Sequence, residues 1–374
     1  MTTIFFVATE TSGDIHGAHL ARQLKAIDPS IRLVGAGGSH MRDAGVEILI
    51  DPTEHATVGV VEVVRHIGRY AQIYRLLQSS LKKWEPDAVV CIDSPDFNLR
   101  FAGRVKDHGI PVIYYISPQI WAWRKGRIKT IRKVVRKMLV ILDFEEKIYR
   151  DAGVDVAFVG HPLLDAYKDI DREAVRKEWG VKKLLIGLLP GSRGKQFRLL
   201  FPVMKKTAEL IQKELPDVKF VLGCAPNINP KLAADAGMEV VVNRTPDVMA
   251  ASDLLLVASG TATLEAGIYG TPMIVTYRLN PATAYLFGPL VWLNTRLWAL
   301  VNIVAGKEIV PEMYQWRAKP ELLAKEALAM IRDGRLPDIR KQLGEVRKKL
   351  GSPGASRRAA EEILKTINRM PKKH

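Results

Sequence analysis

Cysteine is nearly absent: the 374 residues hold two, Cys91 and Cys224, each in an apolar, strand-like run. That leaves no disulfide framework and no metal-ligand spacing, and it predicts a reducing cytoplasm. No stretch biased toward Pro, Ser or Gly is long enough to be disordered. Met1 to Thr9 carries no basic leader and no small-residue cleavage site, so it is expected as a short strand rather than a secretory signal. Zinc-finger spacing, an aromatic RNA-binding strand and long Lys and Arg blocks are also missing, which argues against nucleic acid.

What the chain does have is positive charge. A formal net charge of +16 calls for anionic partners, whether nucleic acid, anionic lipid or a phosphorylated substrate, and charge alone does not choose among them. The length exceeds one ordinary core and suits two domains of roughly 150 to 200 residues each.

Short β-branched runs bounded by turn residues occur at Ile4 to Ala8, Arg32 to Gly35, Ala88 to Ile92 and Val112 to Ile116, with helical patterns between them. A second set follows Pro162: Leu184 to Leu189, Lys219 to Gly223, Glu239 to Val242, Leu254 to Ala258 and Pro272 to Tyr277. The alternation predicts an α/β protein of two doubly wound, Rossmann-like domains facing across a cleft, with ligands at the carboxyl ends of the strands. The expected boundaries are 1–165, 166–335 and a helical tail, 336–374, that returns to the first domain.

Two stretches suggest a membrane surface. Val60, Val63, Val64, Ile67, Ala71, Tyr74 and Leu77 share one helical face while Arg65, Arg69 and Arg75 lie off it; a core-facing helix reads the same way. Ala284 to Val304 is nearly all apolar, but Gly288, Pro289, Asn294 and Arg296 would be costly near a bilayer centre. An interfacial or acyl-binding surface including Phe287 and Trp298 is expected there instead.

The chemistry-bearing motifs sit at strand ends. Glu10-Thr11-Ser12-Gly13-Asp14 opens a helix and suits an anionic or sugar ligand, unless Ser12 or Asp14 only caps the helix. Gly35-Ala36-Gly37-Gly38 fails as a dinucleotide fingerprint because its sixth position is His40. Asp93 and Asp96 end a middle strand, and Asp93 is the candidate base, with a turn or cap role as the alternative. Trp121 and Trp123 beside Arg124 suit a sugar face or an acyl chain, though paired Trp are commonly core. His161 lies at the domain junction, where donor contact and packing are equally compatible readings. In the second half, Gly191-Ser192-Arg193 offers a tight turn, a hydroxyl and a cation. Ser259-Gly260-Thr261-Ala262-Thr263 offers helix-start amides for phosphate oxygens, and Glu265 a carboxylate for ribose hydroxyls. With no acidic cage nearby, Arg193 and helix dipoles are expected to neutralise a diphosphate without an obligatory metal or other cofactor.

Taken with Pro311-Glu312-Met313-Tyr314-Gln315, the order and spacing of these motifs resemble the lipid A disaccharide synthases over nearly the whole chain. The resemblance implies a GT-B glycosyltransferase. Such an enzyme joins UDP-2,3-diacylglucosamine to 2,3-diacylglucosamine 1-phosphate (lipid X) with inversion, at the cytoplasmic face of the inner membrane. By position it implies that Ser12, Asp93, Arg193, Glu312 and Gln315 are needed for activity, with Asp93 as base. A peripheral contact with anionic membrane and a homodimer are further expectations. One departure stands out: Leu300-Val301-Asn302 replaces the family's Leu-Pro-Asn. The rival readings are a UDP-sugar 2-epimerase, another GT-B UDP-N-acetylglucosamine transferase, and a non-catalytic basic module.

Overall fold

The computed structural model describes residues 1–53, 60–121, 124, 126–233, 235–279 and 297–370. The chain forms two compact units, Met1–Asp165 with Leu350–His374, and Ala166–Lys349.

The first unit carries strands β1 (Thr3–Ala8), β2 (Arg32–Ala36), β3 (Glu47–Ile50), β4 (Ala88–Ile92), β5 (Val112–Tyr115), β6 (Lys137–Val140) and β7 (Val156–Phe158). They form one parallel sheet in the order β3-β2-β1-β4-β5-β6-β7. Its helices are α1 (Thr11–Ile27), α2 (Ser39–Asp43), α3 (Val60–Trp84), α4 (Pro95–Asp107), α5 (Arg127–Val134) and α6 (Asp143–Asp151). Successive β1 side chains alternate between two cores: Ile4, Phe6 and Ala8 pack into one, Phe5 and Val7 into the other. Because both faces are covered, the strands read as continuous apolar runs rather than alternating ones. The strand order reverses between β1 and β4, so their carboxyl ends flank the crevice where doubly wound sheets take ligands.

The second unit opens with α7 (Arg172–Glu178) and repeats the plan with β8 (Leu184–Leu189), β9 (Val218–Cys224), β10 (Glu239–Val242), β11 (Leu254–Ala258), β12 (Met273–Tyr277) and β13 (Glu312–Tyr314). The parallel order is β10-β9-β8-β11-β12-β13, and the reversal falls between β8 and β11. Helices α8 (Gly194–Glu214) and α10 (Thr261–Ile268) follow those two strands; the other α-helices among the described residues are α9 (Thr245–Ala251), α11 (Leu300–Ala305), α12 (Pro320–Arg332) and α13 (Leu336–Lys349).

The tail divides later than expected. Residues 336–349 form α13, which packs on α10 and α11 of the second unit. Only α14 (Ala355–Asn368) returns, laying Ala359, Ala360 and Ile363 against α1 in the first core. Asp165 caps α14 by accepting from the amides of Gly354 (2.5 Å), Ala355 (3.1 Å) and Ser356 (3.2 Å).

Of the face expected along α3, Tyr74 and Leu77 turn inward, whereas Ala71 is exposed and Ile73 takes its place. The side chains of Val60, Val63, Val64 and Ile67 lie outside the described residues. Phe287 lies outside them too. Among the described residues no helix is long and apolar enough to cross a membrane.

Candidate functional site

In the first unit the crevice between β1 and β4 brings together Glu10 and Ser12, both exposed at the start of α1, and Asp93 at the end of β4. Asp93 (φ 50°) and Ser94 (φ 44°) are consecutive non-glycine residues in the left-handed region, costing about 1 to 3 kcal/mol each. The surroundings hold that turn. The Asp93 amide donates to the Tyr115 carbonyl (3.0 Å), and the Asp93 carbonyl accepts from the Tyr114 hydroxyl (2.6 Å) and Asn98 Nδ2 (2.8 Å). Burial, and then the charge of Glu10, push the Asp93 carboxyl up to about 6, against a backbone hydrogen bond from Ser94. A carboxylate with that pKa at a strand end is suited to accept a proton near neutral pH.

The motif places Gly13 and Asp14 at an anionic- or sugar-ligand site, but both are buried instead. Gly13 packs α1 against Ala8 and the Ile92 backbone. Asp14 caps α2, its carboxylate accepting from the amides of Gly38 (2.7 Å), His40 (3.0 Å) and Met41 (3.1 Å). The glycine-rich turn rejected as a nucleotide fingerprint thus serves this cap: a Cβ on Gly38 would lie 2.7 Å from the Asp14 carboxylate.

In the second unit a cavity of about 370 Å³ opens at the β8/β11 reversal. Its wall includes Gly191, Ser192, Arg193, Ser259, Gly260, Thr261, Ala262 and Glu265. Gly191 (φ 106°) and Gly260 (φ 148°) adopt backbone conformations that side chains disfavour, which lets each strand turn sharply into its helix. Residues at the starts of α8 (Arg193, Gln196) and α10 (Gly260, Thr261, Ala262) therefore line one cavity, and the first amides of a helix lack intrahelical partners. Burial raises the pKa of Glu265. Thr263 is the exception among the expected contacts: it is fully buried, and its hydroxyl donates to the Gly260 carbonyl (2.8 Å). Gln196 and Thr245 also line the cavity and carried no signal in the sequence reading. Gln196 Nε2 is buried with no hydrogen-bond partner among the described residues.

Glu312 and Gln315 stand at the far edge of the same sheet. Glu312 accepts from the amides of Trp298 (3.0 Å) and Ala299 (3.0 Å) and from Asn302 Nδ2 (2.8 Å). It is the anionic cap of α11. Gln315 (φ 50°) accepts from the Leu279 amide through Oε1 (2.7 Å).

A model of the family described as lipid-A-disaccharide synthetase matches residues 4–367. The lipid-A-disaccharide synthase of Syntrophus aciditrophicus (strain SB) is 42% identical over 377 residues, covering 98% of each chain. The chain belongs to the lipid-A-disaccharide synthetase family. Its fold is GT-B type: CalG4, the calicheamicin glycosyltransferase, aligns with a TM-score of 0.65 at 15% identity over 100% of both chains. The UDP-GlcNAc 2-epimerase from Neisseria meningitidis, solved with UDP-GlcNAc, aligns at 0.61 and 13% identity, covering 97% of this chain and 99% of that one. At those identities both likenesses carry the fold alone.

In this family member His161, Trp121 and Trp298 have packing partners. His161 is buried, accepts from the Leu163 amide at Nδ1 (3.2 Å), and donates its own amide to the Leu350 carbonyl (2.9 Å). Burial, then nearby His16, push it down to about 4. Trp121 donates its indole N–H to Glu145 Oε1 (3.0 Å) and meets Phe144 edge-on at 5.4 Å. Glu145, which the sequence reading missed, is pushed up to about 7, chiefly by burial. Trp298 is half-buried with its ring 5.9 Å from Tyr314, and Trp123 lies outside the described residues.

Proposed function

We propose that this protein catalyses the synthase reaction of its family, transferring 2,3-diacylglucosamine from UDP to the 6-hydroxyl of 2,3-diacylglucosamine 1-phosphate. The observation that carries the reading is Asp93, held in a strained turn at a strand-order reversal with its carboxyl near 6. Its carboxylate takes the proton of the acceptor hydroxyl as that oxygen bonds to the donor anomeric carbon. The bond from that carbon to the diphosphate breaks, the electron pair leaves with UDP, and the configuration inverts. Base catalysis of this kind supplies about 10² to 10⁴ in rate. The donor cavity provides the other half: Arg193 and the free amides at the starts of α8 and α10 take the diphosphate charge, and Glu265 accepts from ribose hydroxyls. No metal is required for that charge balance, and turnover that survives a chelator is the expected result.

The deciding experiment is UDP release from diacylated UDP-glucosamine with and without the acceptor. Acceptor-dependent UDP with a disaccharide product supports the synthase. Acceptor-independent conversion of the UDP-sugar supports an epimerase instead.

The same reading includes a peripheral position on anionic membrane, supported by the net charge of +16. Sedimentation with phosphatidylglycerol vesicles at low salt, lost as ionic strength rises, is the expected behaviour. Polar substitution of Phe287 and Trp298 is expected to weaken it, and light scattering tests the homodimer.

A further inference from the structure

Asp96 lies in the first turn of α4, three residues after Asp93. One of its oxygens, Oδ1, receives two guanidinium groups, from Arg124 (2.6 Å) and Arg127. A tight turn brings the two arginines together: Arg124 has φ 56°, and the Arg127 amide donates to its carbonyl (2.9 Å). Two cations on one anion leave an excess positive charge. The cluster is open on one side, with the Asp96 side chain 72% and the Arg124 side chain 64% exposed, while Arg127 at 19% anchors it from beneath. Arg127 also acts electrostatically on Tyr114, whose hydroxyl holds the Asp93 carbonyl, so the guanidinium pair stands on the side of the base.

An exposed ion pair is worth about 0 to 1 kcal/mol, so Asp96 is readily exchanged for a better anion. A phosphate monoester carries about −1.5 to −2 charges at neutral pH and three acceptor oxygens, which two guanidinium forks match better than one shared carboxylate oxygen. We propose that Arg124 and Arg127 bind the phosphate monoester of the acceptor sugar, orienting the 6-hydroxyl of that sugar toward Asp93. Three residues span at most about 11 Å between the Cα atoms of Asp93 and Asp96, and one hexose 1-phosphate fits within that reach. Asp96 keeps the two guanidiniums together until the phosphate arrives. The assignment rests on the synthase reading above.

The test compares two acceptors, 2,3-diacylglucosamine 1-phosphate and the same sugar without its phosphate, on wild type, Arg124→Ala and Arg127→Gln. Should the dephosphorylated sugar turn over too slowly, inhibition constants of the two sugars give the same ratio. Each variant is expected to raise the acceptor KM, or the inhibition constant, about ten- to a hundredfold for the phosphorylated sugar. The value for the dephosphorylated sugar should stay within about twofold, as expected when a charged hydrogen bond to an absent group is removed. UDP affinity should not change. Equal losses on both sugars, or no loss on the phosphorylated one, overturn the proposal. Arg124→Ala decides the matter if the less exposed Arg127 variant fails to fold. Weaker binding to phosphatidylglycerol vesicles with acceptor kinetics intact would assign the pair to membrane headgroups and overturn it as well. A wild type that turns over no acceptor yet binds UDP would sink the synthase reading first, a result distinct from any of these.

Discussion

At the scale of single residues, Asp93 trades stability for function. Its folded carboxyl binds a proton more tightly than an unfolded aspartate does. Its contribution to stability is therefore greatest below about pH 4 and is lost as pH rises through about 6. At pH 7 the buried charge is a liability of about 3 kcal/mol, from roughly two pKa units at 1.36 kcal/mol each. Asp93→Asn is expected to lower kcat by about 10² to 10⁴ while raising the melting temperature; a variant that loses both activity and stability would mark Asp93 as structural. The same titration predicts a kcat/KM profile for wild type that climbs with an apparent pKa of about 6. Gln196 offers a milder case. Its Nε2, beside the donor cavity, lacks a partner among the described residues, and its Oε1 would lie 2.7 Å from a Cβ placed on Gly191. Gln196→Met keeps the length and removes the donor, so UDP binding by calorimetry is expected to weaken about tenfold, as for one hydrogen bond to a charged group.

At the scale of elements, the short helix α11 depends on partners distant in sequence. Glu312 at the sheet edge caps its start, and Asn302 within it receives the amides of Ile309 (2.9 Å) and Val310 (3.1 Å). The departure at Leu300-Val301-Asn302 therefore keeps the asparagine that matters to the fold, since Asn302 is fully buried in this network. Removing the Glu312 carboxylate leaves buried amides without an acceptor. Glu312→Ala is expected to destabilise the protein by about 2 to 3 kcal/mol in denaturant melts. Glu312→Gln should cost less, because its amide oxygen still accepts. If Glu312→Gln instead abolishes activity with unchanged stability, the carboxylate has a direct chemical role.

At the scale of the whole molecule, the chain leaves the first unit after Asp165 and re-enters it at Leu350, so that unit is completed only by the last helix. Arg358 seals the return, donating to the carbonyls of Val159 (2.8 Å), Ser352 (2.6 Å) and Pro353 (2.8 Å). Gly160 makes room for it: at φ 85°, an added Cβ would sit 2.5 Å from the Arg358 guanidinium and 3.4 Å from the Leu350 carbonyl. Gly160→Ala is expected to cost about 1 to 3 kcal/mol and to expose the tail to protease, measured by limited digestion. A variant as resistant as wild type would show that the guanidinium has other places to go.

The amino-acid sequence by itself determined the central strands of both sheets and the turns that end them, but not β3, β6, β7 or β13. Leu184–Leu189, Leu254–Ala258 and Ala88–Ile92 form where their apolar runs predict, since strand patterning and turn chemistry act within a few residues. For the same reason the cavity wall from Gly191 to Arg193 and from Ser259 to Ala262 was legible. Strand β6 was not, because it begins with Lys137, a charge made tolerable by Asp155 (2.7 Å) and by Glu362 of the returning helix (3.4 Å). Only the tertiary structure decided what the conspicuous carboxylates do. Asp14, Asp93 and Glu312 look alike in sequence, yet two of them cap helices that begin 25 residues later or 12 residues earlier in the chain, and one is left with a raised pKa at a crevice. A carboxylate's task depends on the amides and charges that folding sets around it, and those partners are remote in sequence.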